Sequence, residues 1–364
     1  MTKTKDPLVS ICCITYNHEN YIRDAIEGFL MQKADFPFEI VIHDDASTDA
    51  TADIIREYER KHPDIIKPIY QTENQYSKGG HATLLTFKAA KGKYLALCEG
   101  DDYWIDPLKL QKQITGMEKY PECCISFHPA VKRFVDGSGD DEMVGLYSNK
   151  TTIIPVEDII LSRWGHIPTA SIILNRSVVP RIFSFFNLAK DAPVGDYYIR
   201  VLGAENGGAL YLNDIMSVYR YMVPGSFSKR MSKSSSDEEA LWYRRTIISL
   251  AKLNTFTDSK YSKLLDIRKK RNYSGVVRSL RIDINTKKNI IGEDMDKIDV
   301  KDRILWNTIF KHPFIIAIIM HPPILKILRS VHQLAEQILN YKNRPHLKNQ
   351  DPLEKARGCD IPGN

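Results

Sequence analysis

Residues 98–104 read CEGDDYW and follow directly on the apolar stretch Tyr94-Leu95-Ala96-Leu97. An apolar run that reads as a buried strand thus ends in Glu99, Asp101 and Asp102. Carboxylates this close repel one another, and taking them out of water is costly unless a cation or hydrogen bonds compensate. The cluster is therefore either a solvated turn or a site that waits for a metal.

Working outward, the same arrangement occurs twice more. Leu8 to Thr15 (LVSICCIT) is an apolar run that ends at Tyr16-Asn17, and Phe38 to His43 (FEIVIH) ends in Asp44-Asp45-Ala46-Ser47-Thr48-Asp49. Between them, Ile22, Ile26, Phe29 and Leu30 fall at helical spacing over 21–31. A second helix is expected up to about Lys61, capped by Ser47 or Asp49, then a strand at 65–70, a helix near 81–90 and the strand at 93–98. Strand alternating with helix predicts a parallel sheet with helices on both faces. Ligands of such sheets bind beyond the carboxyl ends of the strands, so the polar strand ends should line one crevice. Two acidic clusters at one sheet edge suit hard oxygen ligation of a divalent cation that carries a diphosphate.

Composition agrees with an ordinary globular chain: 364 residues and 43% hydrophobic are enough for a full core plus an appendage. The six cysteines show no metal spacing and read as reduced thiols of a cytosolic protein. No apolar stretch reaches the roughly 18–20 residues of a spanning helix, and MTKTKDPLVS carries no signal segment, so the chain is expected to be neither secreted nor integral. Charge divides unevenly. Residues 1–240 hold 27 Lys and Arg against 33 Asp and Glu, whereas residues 241–364 hold 24 against 12. A basic part can mean nucleic acid, an anionic membrane or merely solubility, and no nucleic acid is expected as a partner.

PLVSICCITYN, EIVIHDDASTDAT and GKYLALCEGDDYWIDPLKLQKQ resemble, in order and spacing, the nucleotide-binding half of the family 2 inverting glycosyltransferases, of the bacterial surface-polysaccharide type. The resemblance implies an α/β GT-A fold, Rossmann-like, with a mostly parallel central sheet and helices on both faces. It is dense over residues 7–120 and thinner to about 230. Carried over by position, it puts Thr15 and Tyr16 at the nucleobase, and Asp45 on the base or ribose with Asp44 beside it. It implies Glu99 near the ribose, and Asp101 as the ligand of Mn2+ or Mg2+ through the donor diphosphate. Two departures stand out: Glu99 replaces the usual Asp, and Thr83-Leu84 stands where the family often has Arg-Asn, a contact that Lys78 would have to supply.

Inverting transfer also needs a general base on the acceptor side. DAPVGDYYI (191–199) resembles the family's acceptor-side segment, which implies Asp196 as the catalytic base, with Asp191 the competitor. SVYRYMVPGSFSK (217–229) resembles the strand and loop that close over the donor phosphates, where Arg220 would bind a phosphate or form a structural ion pair. Trp104 is expected to pack under the metal loop, and His128 and His166 to be structural.

The expected organisation is a catalytic domain over 1–232, with a nucleotide-sugar half (1–120) and an acceptor half (121–232). A helical basic extension over 233–345 and a disordered tail over 346–364 follow. DIRKKRNYSGVVRSLR (266–281) is strongly basic, and FKHPFIIAIIMHPPILKIL (310–328) is apolar but broken by prolines. Two readings stay open for this extension: an interfacial segment on an anionic membrane surface, or a helical hairpin packed on the catalytic domain. The resemblance implies a metal-dependent hexosyltransferase, cytoplasmic or peripheral on the inner face of the cell membrane. It would move a sugar from a nucleotide-diphospho donor, a UDP-sugar, to a hydroxyl of a glycan or lipid-linked saccharide. The alternative is a catalytically idle GT-A module that binds nucleotide or glycan as an assembly partner. A nucleotidyltransferase would want a Gly-rich, basic loop after the first strand, and ITYNHEN offers neither.

Overall fold

The structure, a computed structural model, describes residues 6–193, 195–292 and 294–311. The expectations for the tail at 346–364 and for nearly all of the apolar segment at 310–328 lie outside these residues. The chain divides into two compact units: residues 6–190 with 195–230, and residues 191–193 with the described residues from 231 onward.

In the first unit the strands are β1 (Val9–Thr15), β2 (Phe38–Asp44), β3 (Ile66–Tyr70), β4 (Tyr94–Glu99), β5 (Tyr103–Trp104) and β6 (Ile125–Phe127). β7 (Ala130–Phe134), β8 (Glu142–Val144), β9 (Thr152–Ile154), β10 (Ile173–Asn175), β11 (Ala209–Tyr211) and β12 (Ser217–Tyr221) complete the set. The central sheet runs β3-β2-β1-β4-β10-β6-β11-β9. β3, β2, β1 and β4 are parallel to one another, which fits their near-continuous apolar runs: a strand covered by helices on both faces has no polar side. Beyond β4 the sheet departs from the simple parallel expectation. β10 inserts antiparallel between β4 and β6, and β9 closes the edge antiparallel to β11. These strands are only three residues long, too short to show a period in sequence.

The helix Ile22–Leu30 buries Ile22, Ile26 and Phe29 against one face of the sheet. Gly28 lets that helix approach β5, because a Cβ there would lie 2.9 Å from the Trp104 carbonyl oxygen. Trp104 is almost fully buried, stacks edge-on against Phe29 and donates from its indole to the Ala170 carbonyl at 2.9 Å. It therefore packs beneath the segment that carries Asp101 and Asp102. The helix after β2 starts at Thr51 without a side-chain cap at its first flanking residue; Asp49 instead accepts from the Thr51 amide at 3.0 Å.

A second sheet, β5-β12-β7-β8, bonds the two-residue β5 antiparallel to β12, with Ser217 opposite Trp104 and Val218 opposite Tyr103. This pairing carries the Glu99–Asp102 turn and the strand of Arg220 to the same place.

The second unit is helical in its described residues. Ser236–Phe256 opens with a capping box between Ser235 and Glu238, and Asp283 caps Ile284–Ile291. With Ser262–Arg278 and Val300–Lys311 these helices bury Ala240, Tyr273, Val276, Ile291 and Trp306 in a core of their own. Among the described residues no helix is long and apolar enough to cross a membrane.

Candidate active site

Parallel register assembles the site. Thr15 pairs with Asp44 and Ile14 with Glu99, so the ends of β1, β2 and β4 lie side by side, about 5 Å apart from strand to strand. The chain leaves β1 and β2 through left-handed residues, Asn17 and Ala46. Ala46 is the costlier of the two, since only Asn, Asp and Gly enter that region readily. The turns lock together: Asn17 donates its amide to Ser47 at 2.9 Å, and its side chain accepts from the Thr48 amide at 2.8 Å. Thr15 faces His18 at 3.1 Å, and a Cβ on Gly100 would meet the Thr15 hydroxyl, so only glycine fits between the outer carboxylates of the EGD turn.

Each residue expected at the nucleotide has a definite place. Tyr16 is 42% exposed on the rim. Asp44 is buried and accepts from the Ser47 hydroxyl; burial raises its pKa above the usual carboxylate range, and that bond partly offsets the shift. Asp45 turns both carboxylate oxygens onto backbone amides, from Gln75 at 2.7 Å and Tyr76 at 3.0 Å, and so ties down the loop after β3. Lys78 in that loop pairs with Glu73 at the surface.

The turn after β4 holds the densest charge. Burial, then the charges of Asp101 and Asp196, push Glu99 up to about 8. Burial, then Asp101 and Glu99, also raise Asp102 well above its ordinary value. Asp102 is 1% exposed; one oxygen accepts the Arg220 amide at 2.8 Å and the other has no partner. Asp101 Oδ2 lies 3.8 Å from His18 Nε2. Tyr219 belongs here too, its phenol driven up by burial and by Asp102, Glu99 and Asp101.

Asp196 opens the helix Gly195–Ala204 and comes within electrostatic reach of Glu99. It accepts from its neighbour's amide at 2.8 Å and pairs with Arg200 at 3.1 Å, while Arg200 also donates to the Ile167 carbonyl at 2.6 Å. His166 lies in the same group; burial and the Arg200 charge outweigh Asp196 and hold it at about 4, so it is neutral at physiological pH. Asp191 sits exposed in the turn ahead of this helix. Arg220 pairs its guanidinium with Asp24 and donates to the Asp101 carbonyl.

The site fits a divalent cation that a ligand completes. Among the described residues no three His, Cys, Asp or Glu side chains form a ready-made cage. Yet a buried carboxylate oxygen of Asp102 is unpartnered, and Glu99 is raised by burial and then by neighbours of its own sign. Sites with one or two carboxylates and substrate phosphates are the usual arrangement for small hard cations. Nothing in the local sequence marks His18, Asp24, Arg200 or Tyr219 as neighbours of the acidic turn. His18 stood in the quoted ITYNHEN, but nothing local ties it to Asp101.

A mostly parallel sheet with an acidic turn at the end of its fourth strand in sequence, followed by a mixed half, is the arrangement of the GT-A class of glycosyltransferase folds. The chain aligns at TM-score 0.58 with Staphylococcus aureus TarS 1–349 in complex with UDP-GlcNAc, at 16% identity over 88% of this chain and 91% of that one. Residues 10–161 match the family model Glycosyl transferase family 2, and this part of the chain belongs to that family. An uncharacterized Mycobacterium tuberculosis protein is 37% identical over 238 residues, 65% of this chain and 64% of that protein. The chain therefore spans a little under two thirds of that relative. An Escherichia coli relative, UDP-Glc:alpha-D-GlcNAc-diphosphoundecaprenol beta-1,3-glucosyltransferase WfaP, is 39% identical over 112 residues, 30% of this chain and 41% of that one.

The Asp45 contacts carry a direct expectation. Bonds from an amide to a charged acceptor are worth about 1.5–3 kcal/mol each, so Asp45→Ala should speed hydrogen exchange at the Gln75 and Tyr76 amides about 10-fold or more. Exchange in the β1 and β4 amides should stay unchanged. Unaltered exchange at Gln75 and Tyr76 would show that the loop is held by other means.

Proposed function

We propose that this chain is a metal-dependent inverting glycosyltransferase. It moves a sugar from a nucleotide-diphospho donor, a UDP-sugar, to a hydroxyl of a glycan or lipid-linked saccharide in surface-polysaccharide synthesis. The observation that carries the reading is the buried acidic turn after β4, where Asp102 keeps one carboxylate oxygen unpartnered, with Asp196 on the helix Gly195–Ala204 near enough for its charge to act on Glu99. Donor and acceptor functions then face each other across one crevice. The choice of a UDP-sugar and a lipid-linked acceptor draws on the printed donor and acceptor of WfaP and on the UDP-GlcNAc bound by TarS.

In this reading Thr15, Tyr16, Asp44 and Asp45 bed the base and ribose, and Glu99 faces the ribose. Asp101 is the protein's ligand to Mn2+ or Mg2+, with Asp102 beside it. When bound, such a cation neutralises the diphosphate as it leaves. Asp196 accepts the proton of the acceptor hydroxyl as that oxygen attacks the anomeric carbon from the face opposite the diphosphate, which inverts the centre. Arg200 pairs with Asp196 and fixes its rotamer, and a carboxylate with two donors already bound still has lone pairs for the hydroxyl proton.

The same reading assigns the basic C-terminal part to an anionic membrane surface on the cytoplasmic side. Its support among the described residues is the outer face of Ser236–Phe256, where Leu241, Arg244, Arg245 and Ile248 are all exposed at helical spacing.

Asp101→Asn should abolish transfer and remove manganese-dependent UDP binding with the melting temperature kept. A variant that binds UDP and manganese normally would sink that assignment. Asp196→Asn should lose about 10²–10⁴ in turnover with donor affinity kept, whereas Asp191→Asn should cost at most about 1 kcal/mol of stability as a turn defect. A dead Asp191 variant beside an active Asp196 variant would reverse the two roles. The full chain should sediment with anionic vesicles at low salt and release as salt shortens the Debye length to about 3 Å at 1 M; indifference to vesicles at low salt would remove the membrane.

A further inference from the structure

Arg220 lies next to two carboxylates of the site, yet neither takes its guanidinium charge. Its backbone amide donates to Asp102 Oδ1 at 2.8 Å, and its Nη1 donates to the main-chain carbonyl of Asp101 at 3.1 Å. Its Nη2 pairs with Asp24, in the first turn of the helix Ile22–Leu30. The Tyr103 and Tyr21 rings hold the guanidinium from two sides, at 4.3 Å and 5.2 Å from its carbon to the ring centroids. Its side chain is 10% exposed, whereas Asp24 is half exposed, so the pair closes the outer wall of the turn.

We infer that Asp24 and Arg220 form a charge-diverting clamp: Arg220 positions the Asp101–Asp102 turn for a divalent cation, and Asp24 keeps the guanidinium from occupying that cation's place. The inference rests on the donor and metal reading above. A buried cation beside several carboxylates normally pairs with them, and a planar guanidinium does so with two parallel bonds. Such a pair would supply the compensating charge that a metal ion supplies, and would compete with it. Here the turn is held through neutral main-chain groups, one amide and one carbonyl, while the guanidinium's charge is satisfied on the opposite wall. Asp102 keeps one oxygen unpartnered as a result. Asp24 touches neither the turn nor a ligand in this arrangement; it acts through Arg220 and is a positioning residue.

The test is a cycle of variants in the full chain, with free manganese followed by its electron paramagnetic resonance signal in the presence of UDP. Supporting residues behind a metal ligand typically contribute about 10-fold to 100-fold in metal affinity, so Asp24→Asn should weaken manganese uptake about 10-fold or more. Half exposed, Asp24 can lose its charge without loss of the fold, and the melting temperature checks this. Asp24→Glu, which keeps the pair, should take up manganese like the wild type. In an Arg220→Gln background, with no cation to release, Asp24→Asn should have no further effect. An unchanged Asp24→Asn variant overturns the clamp, and so does an equal loss in the Arg220→Gln background, since Asp24 would then act by its own charge alone. If Arg220→Gln does not fold, the contrast between Asp24→Asn and Asp24→Glu decides. A wild-type chain that takes up no manganese with UDP overturns the donor and metal reading and the clamp with it, whereas normal wild-type uptake with an unaffected Asp24→Asn overturns the clamp alone.

Discussion

Like charge held out of water is the constraint around which the first unit is arranged. Glu99, Asp101 and Asp102 leave one buried strand within four residues, and Asp196 adds a fourth carboxylate from the other half of the chain. An ionised carboxylate in a poorly solvated place costs several kcal/mol unless something compensates. What the protein supplies is incomplete: one amide and one carbonyl bond at the turn, a histidine 3.8 Å away, and an arginine whose charge goes elsewhere. Burial and mutual repulsion therefore raise Glu99 to about 8 and Asp102 well above its ordinary value, so the cluster sheds charge by binding protons where no partner is supplied.

The remaining architecture serves to hold that cluster still. Parallel register brings three strand ends to one edge. Two left-handed residues turn the chain away there, and the Asn17–Ser47–Thr48 bonds tie the first two turns together. Beneath the acidic turn, Trp104 is pinned by Ala170 and Phe29, and buried Lys109 lies 4.1 Å from the centre of its indole ring. Burial drives the Lys109 ammonium down to about 7, a cost borne by the core under the site.

The part of the first unit beyond β4 is less regular because its elements bury their apolar side chains among short, mixed strands. Asp196 is set by the start of a helix and by Arg200, which is itself fixed to a main-chain carbonyl. Asp196 and the acidic turn thus belong to separately built elements, a helix start and a strand end, and the charge of Asp196 reaches Glu99 only in the folded chain.

The sequence by itself determined the alternation of strand and helix over the first hundred residues and the acidic strand ends. Hydrophobic periodicity and charge are local properties, so TYN, HDD and CEGDDYW were legible without a structure. It also carried the family motifs that point to Asp101 and Asp196. Only the tertiary structure decided the antiparallel insertion of β10, the capture of both Asp45 oxygens by the loop after β3, and the pairing of Arg220 with Asp24 across 196 positions. A side chain's charge is written in the sequence, but its partner is chosen by chain reversal and packing. A two-residue strand such as β5 has no period to read until β12 lies beside it.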